Sequence, residues 1–206
     1  MKGTYDIVTS ISKTLSWILR HHAKELGLDI TTDGWVNLEQ LLKLPQILSK
    51  HADITLIQKV VAENDKKRFE LKQDGVQWYI RAVQGHTISD VIEEGLMDLI
   101  TDPKLYPIVI HGSYAKNWES IKGGGLNKMK RNHIHLAQGL PGEGKVISGM
   151  RGSCNMIIEI DICKAMADGI KFYLSKNNVI LTEGVEGTLD KKYFKKVSIK
   201  GSQVYP

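Results

Sequence analysis

Three arginines stand at places where the chain is expected to change direction, each beside residues suited to an anion. Arg20 precedes His21 and His22, Arg68 follows Lys66 and Lys67, and Arg151 sits in the glycine-flanked run Ser148-Gly149-Met150-Arg151-Gly152-Ser153. A guanidinium can grip two phosphate oxygens through its planar fork, and an imidazole can move a proton near neutral pH. Each group also has a plain reading. Arg20-His21-His22 fits a helix-end cluster that complements the helix dipole. Lys66-Lys67-Arg68 fits a solvated basic turn, and Arg151 fits a surface loop with a snorkelling side chain. Taken together, three such arginines point to a multiply charged phosphate.

A second group lies further along. His111-Gly112-Ser113 is expected at a strand end, where a glycine lets a ligand approach the backbone; the alternative is a buried, satisfied histidine. His133 and His135 are two residues apart, so a strand would place both on one face. Zinc would need a third ligand at suitable spacing, and the sequence offers none. Gln84-Gly85-His86-Thr87 reads by itself as a polar turn. No Gly-x-Gly-x-x-Gly follows a strand in a βαβ setting and no Walker A loop occurs, so Rossmann and P-loop readings fail.

The elements that must carry these residues divide in two. In the first half, Leu15, Ile18, Leu19 and Leu26 form one helical face, with Ser12 as the expected N-cap and Gly27 as the stop. Asn37 opens a second helix that ends near Pro45, and Asp53 opens a third that runs to about Asn64. Residues 68–71 and 77–83 alternate around Asp74-Gly75, which predicts a hairpin. Three helices and a hairpin suggest a winged-helix lobe, a module that often lies on nucleic acid. The second half predicts strands at 106–111, 134–137, 155–161, 178–182 and 195–199, with short helices at 118–122 and 164–168. The whole is α+β. Two prolines mark residues 101–107 as a linker between lobes 1–100 and 108–206.

Charge follows the same division. Of 206 residues, 28 are Lys or Arg and 23 are Asp or Glu, for a net charge of +5. Residues 1–100 hold 12 basic and 14 acidic residues, and residues 101–206 hold 16 and 9. The first lobe therefore has no general basic footprint, and anion binding there rests on a few placed cations. Two cysteines, no apolar run of membrane length and no secretory h-region lead us to expect free thiols and an intracellular protein, cytoplasmic or nuclear.

The motifs as a set resemble the RNA 2′-phosphotransferase family along nearly the whole chain. The resemblance rests on Leu15-Ser16-Trp17-Ile18-Leu19-Arg20-His21, Asp33-Gly34-Trp35-Val36, Asn64-Asp65-Lys66-Lys67-Arg68-Phe69, Gln84-Gly85-His86, His111-Gly112-Ser113, Arg131-Asn132-His133-Ile134-His135-Leu136-Ala137, Ser148-Gly149-Met150-Arg151 and Asn177-Asn178-Val179-Ile180-Leu181. Ser113 departs from the family's usual threonine but keeps the hydroxyl. The resemblance implies an RNA-facing winged-helix lobe followed by an ADP-ribosyltransferase-like mixed-sheet lobe that binds NAD. It implies that the 2′-phosphate of an RNA, tRNA above all, attacks NAD and expels nicotinamide. The ribose 2″-hydroxyl of the resulting 2′-phospho-ADP-ribosyl RNA then takes the phosphate, leaving a 2′-hydroxyl and ADP-ribose 1″,2″-cyclic phosphate. It further implies that Arg20, His21, Arg68 and Arg151 are catalytic, that His111, Gly112, Ser113 and His135 line the NAD pocket, and that no metal is needed. We expect a monomer.

Two other readings use the same features. An ADP-ribosyltransferase that caps terminal phosphates of nucleic acid, or that modifies protein, would need the same NAD pocket. A winged-helix binder without activity would need neither the histidines nor NAD, and the −2 charge of residues 1–100 argues against it.

Overall fold

The computed structural model describes residues 2–92, 96–140, 150, 152–200 and 202–205. The chain is mixed α and β and divides into two compact units, Met1–Leu96 and Met97–Pro206.

The first unit opens on helix α1, Lys2–Trp17, which continues as a π-helical turn over Ile18–His22. Ser12 lies inside α1, contrary to its expected capping role. The apolar face extends upstream through Ile11, Val8 and Ile7, all packed on the core, so the helix starts well before Ser12. The Ser12 hydroxyl instead accepts from the Asn64 side-chain amide at 3.0 Å. Past the π turn the backbone curls until Gly27, whose φ of 73° lies in the left-handed region that glycine enters without penalty.

Strand β1 is Val36–Asn37, and Asn37 then caps helix α2, Leu38–Leu42, by accepting from the amides of Glu39 and Gln40. Pro45 opens a further short helix, α3, Pro45–Leu48. Pro45 is thus both the expected stop of α2 and the start of α3, because its fixed φ and missing N–H suit the first helical position. Helix α4, Ile54–Ala62, is capped by Asp53 as expected. Strands β2, Phe69–Asp74, and β3, Gln77–Ala82, form the predicted hairpin, paired from Phe69–Ala82 to Asp74–Gln77. With β1 they make an antiparallel sheet in the order β1-β3-β2. The helices and this sheet share a core in which Leu15, Leu19, Leu41, Ile57 and Ile80 are fully buried. Each such side chain contributes about 1.5–3 kcal/mol relative to an exposed one.

The Asp33-Gly34-Trp35 motif is held by that sheet. Buried Arg81 on β3 pairs with Glu70 at 2.7 Å, donates to the Asp33 carbonyl at 3.1 Å and lies 4.3 Å over the Trp35 ring. Burial of a guanidinium is tolerable here because all three of its nitrogens and its face are engaged.

In the second unit, β4 is Met97–Leu99, β5 Ile110–Ser113, α5 Trp118–Gly124, β6 Leu126–Asn127, β7 Ile134–Leu136 and β8 Met156–Ile160. Then come α6 Ile162–Ala167, β9 Tyr173–Ser175, β10 Ile180–Thr182, β11 Thr188–Leu189, β12 Phe194–Ile199 and β13 Ser202–Tyr205. Two four-stranded antiparallel sheets, β4-β9-β10-β7 and β13-β12-β8-β5, are accompanied by a β11-β6 pair. A reciprocal pair of backbone hydrogen bonds between Ile110 and Ala137, 2.9 and 2.8 Å, ties the edge strands β5 and β7 together. Strand β8 alternates buried Met156, Ile158 and Ile160 with less buried Ile157 and Glu159, the period of a half-buried strand.

Residues 101–107, expected to link two lobes, fall within this second unit. Strand β4 already pairs with β9 before them, and Asp102 caps a single 3-10 turn at Pro103–Leu105. The strand expected at 106–111 begins only at Ile110. Strands β4, β6, β9, β11 and β13 are two to four residues long and add to the five strands expected from the sequence. Cys154 and Cys163 are free thiols, as expected. Among the described residues no helix is long and apolar enough to cross a membrane.

Candidate active site

The π turn carries Arg20 and His21. A π turn holds more residues per turn than an α-helix, and such turns are rare and concentrated at functional positions. Thr87 secures it from outside. Its backbone amide donates to the Arg20 carbonyl at 2.9 Å, and its hydroxyl lies 3.0 Å from His21 Nδ1 and 3.5 Å from the Arg20 carbonyl oxygen. Beside them Trp17 stacks on His22 at 4.0 Å between ring centroids, and His22 Nδ1 meets the Glu25 carboxylate at 2.6 Å. His22 is thus occupied by its own neighbours, whereas His21 is held by a hydroxyl.

Arg68 precedes β2 and is positioned by Asn64, just past the end of α4. The Asn64 side-chain oxygen Oδ1 accepts from the Arg68 backbone amide at 3.1 Å and from its Nη1 at 3.4 Å. The same side chain donates to Ser12 on α1. Desolvation lowers the Arg68 pKa, with Asp65 offsetting part of the effect. Lys66 is also lowered, first by desolvation and then by the Arg68 charge. Two cations that have lost water and repel each other gain from an arriving anion.

Arg68 and Arg20 are anchored to the two ends of one segment. The Val83 amide donates to the Arg68 carbonyl at 3.0 Å, and four residues later Thr87 holds Arg20 and His21. Four residues reach at most about 14 Å, so the backbones of Arg20, His21 and Arg68 belong to one neighbourhood. Between the two anchors Gln84 and His86 are buried, and Gly85 has φ 85°. The 84–87 run, a polar turn by its residue types, is therefore an internal brace. Asn64 and Thr87 were not singled out as site residues from the sequence; only their placement shows their use. Arg151 lies outside the described residues.

In the second unit, β5 presents His111, Gly112 and Ser113, and β7 presents His135. His111 Nδ1 donates to the His135 carbonyl at 3.0 Å, and His135 Nδ1 donates to the His133 carbonyl at 3.0 Å. A carbonyl only accepts, so both rings carry the proton on Nδ1, which directs Nε2 of a neutral ring to act as acceptor. Desolvation lowers the His111 pKa; its bond to the His135 carbonyl opposes this, and the charge of Arg131 adds to it. Arg131 is a second cation that the sequence did not mark as a site residue. Ser113 is buried and accepts from the Asn117 side-chain amide at 3.3 Å. Gly112 faces Met150 and Cys154 so closely that a Cβ would overlap the Met150 side chain and lie 3.0 Å from the Cys154 sulfur. His133 Nε2 is 3.7 Å from a Glu183 carboxylate oxygen. Among the described residues no three His, Cys, Asp or Glu side chains gather as metal ligands would.

One unit thus carries desolvated cations and a histidine on neighbouring stretches of backbone, and the other a pair of tautomer-fixed histidines. The chain matches the model of the RNA 2′-phosphotransferase, Tpt1/KptA family over residues 6–184, and it belongs to that family of transferases. It is 48% identical over 190 residues to tRNA 2′-phosphotransferase 1 of Danio rerio, an alignment covering 89% of this chain and 82% of the relative. It is 46% identical to tRNA 2′-phosphotransferase 1 of Homo sapiens over 193 residues, covering 92% of this chain and 75% of that one. A bacterial relative, the "Probable RNA 2′-phosphotransferase" of Flavobacterium johnsoniae, is 39% identical over 180 residues, covering 87% of this chain and 93% of that one.

Proposed function

We propose that the protein is an NAD-dependent RNA 2′-phosphotransferase that removes an internal 2′-phosphate, with tRNA as its RNA. The observation that carries the reading is the joint anchoring of Arg20, His21 and Arg68 by the single segment 83–87. We assign the first unit a winged-helix, RNA-facing role and the second an ADP-ribosyltransferase-like, NAD-holding role.

The chemistry divides between residues accordingly. A phosphomonoester is largely dianionic at neutral pH, because its second pKa is near 6. It is already a nucleophile, and it displaces nicotinamide from the anomeric carbon of NAD without a protein base. Strand β10 presents only Ile180, Leu181 and Thr182, which suits an anionic acceptor that a carboxylate there would repel. His111 and His135, Gly112 and Ser113 hold the dinucleotide, with imidazole tautomers set by the carbonyls of His135 and His133. In the second step the ribose 2″-oxygen bonds to phosphorus and the bond from phosphorus to the RNA 2′-oxygen breaks. His21 gives a proton to the departing 2′-oxygen, and the proton lost by the 2″-hydroxyl restores it. Arg20, Arg68 and Arg151 hold the negative charge at phosphorus throughout.

The test is incubation with NAD and an RNA bearing an internal 2′-phosphate. We expect nicotinamide, RNA with a 2′-hydroxyl and ADP-ribose 1″,2″-cyclic phosphate. A stable ADP-ribose left on a terminal phosphate, with no phosphate transferred, would identify a capping ADP-ribosyltransferase instead.

A further inference from the structure

The hydroxyl of Thr87 is placed to decide where His21 keeps its proton. A hydroxyl has one hydrogen to give and two lone pairs to receive with. Within reach are the Arg20 carbonyl oxygen at 3.5 Å, which only accepts, and His21 Nδ1 at 3.0 Å, which can do either. When His21 is charged, Nδ1 must donate, and the hydroxyl can receive that hydrogen bond only by turning its own hydrogen elsewhere. The Arg20 carbonyl gives that hydrogen a destination. The Thr87 amide bonds to the same carbonyl at 2.9 Å, which keeps the carbonyl fixed beside the hydroxyl.

From this geometry we infer that Thr87 is a positioning residue for the second step: it forms the chain His21 Nδ1–H to Thr87 Oγ1–H to Arg20 C=O, which fixes the imidazole ring and makes Nε2 the nitrogen that gives and regains the proton. The chain serves the charged imidazole best, which is the form needed to protonate a leaving oxygen. The first step, in which the phosphate attacks unaided, has no use for it. The arrangement resembles in logic a base oriented by a third group, with a neutral hydroxyl in place of a carboxylate. A neutral partner also adds no negative charge where a phosphate dianion must bind.

The inference rests on the proposed two-step reaction, and the experiment separates the two. Thr87→Val keeps the shape and removes the hydroxyl, and Thr87→Ser keeps the hydroxyl. With NAD and 2′-phosphorylated RNA, we expect Thr87→Val to release nicotinamide at close to the parent rate but to convert the ADP-ribosylated RNA at least about tenfold more slowly. Thr87→Ser should remain within about threefold of the parent in both steps. Nitrogen-detected NMR of the histidine rings should show His21 protonated on Nδ1 in the parent and in Thr87→Ser, with the Nε2–H tautomer gaining in Thr87→Val. Equal slowing of both steps, or an unchanged second step, or an unchanged His21 tautomer in Thr87→Val, would overturn the assignment. If the parent releases no nicotinamide or yields no ADP-ribose 1″,2″-cyclic phosphate, the two-step reading fails, and the NMR comparison still decides the role of Thr87.

Discussion

His21 and His111 are the same residue type held in opposite ways. His21 is held at Nδ1 by a neutral hydroxyl, which leaves the change of charge to Nε2. His111 is held by a backbone carbonyl, which fixes its tautomer, while desolvation and Arg131 favour the neutral form. The first arrangement suits a group that must exchange a proton during a reaction. The second suits a group that must stay neutral and present one acceptor. The difference is set by the surroundings, not by the histidine: desolvation and the Arg131 charge outweigh a carbonyl partner that by itself favours the charged ring, and it matches the division of labour proposed for the two units, with proton and phosphate handling in the first and cofactor holding in the second.

The largest effect should come from the cationic side. Arg68→Ala is expected to slow release of 2′-hydroxyl RNA by about 10²–10³-fold while NAD is still consumed, so that ADP-ribosylated RNA accumulates. If the variant forms no adduct and releases no nicotinamide, Arg68 serves binding or the first step, and the division drawn between the units is wrong.

On the cofactor side, Gly112→Ala places a methyl group into the Met150 side chain. We expect a destabilisation of about 1–3 kcal/mol in denaturant unfolding and at least a tenfold loss in nicotinamide release, with no adduct accumulating. An adduct that did accumulate would show that Gly112 acts after the first step and blur the comparison.

A smaller effect is expected for Asn64→Ala, which keeps Arg68 but removes its clamp to α1. The second step should slow by about three- to tenfold, read by the ratio of adduct to product in a single turnover. Asn64→Asp would keep the acceptor for Arg68 but lose the donor to Ser12, so it should fall between parent and alanine variant.

The smallest effect is thermodynamic. The pKa of His111 in the folded protein is below its ordinary value of 6.5, so the folded state binds fewer protons than the unfolded state in that range. Stability therefore rises with pH there, and it is lost as pH falls below about 6.5 toward the folded pKa. Thermal unfolding followed from pH 7.5 to pH 5 should show this decline, and His111→Gln should flatten it. A parent and variant with parallel pH profiles would mean that His111 is not the neutral, fixed partner described here.

Much of the scaffold was readable because local rules act alone at those positions. Asn37 and Asp53 cap their helices as expected, since a side-chain oxygen two or three residues from free amides needs no distant partner. The hairpin around Asp74-Gly75 formed for the same reason. Ser12 failed as a cap because burial of Ile7, Val8 and Ile11 carried the helix past it. The short strands β4, β9 and β13 carry too few residues for alternation to show, and they exist because a neighbouring strand supplies their hydrogen bonds.

The sequence by itself determined the residue types that meet phosphate, the order of the motifs and hence the family, because those are properties of the chain read along its length. It could not decide what each of those side chains would touch. That Thr87 faces His21, 66 residues away, that Asn64 joins Arg68 to Ser12, and that the carbonyls of His135 and His133 fix the tautomers of His111 and His135 came only with the tertiary structure. A hydrogen bond depends on a donor and an acceptor meeting within about 3 Å at the right angle, and only the packing of the whole unit brings distant residues to that distance.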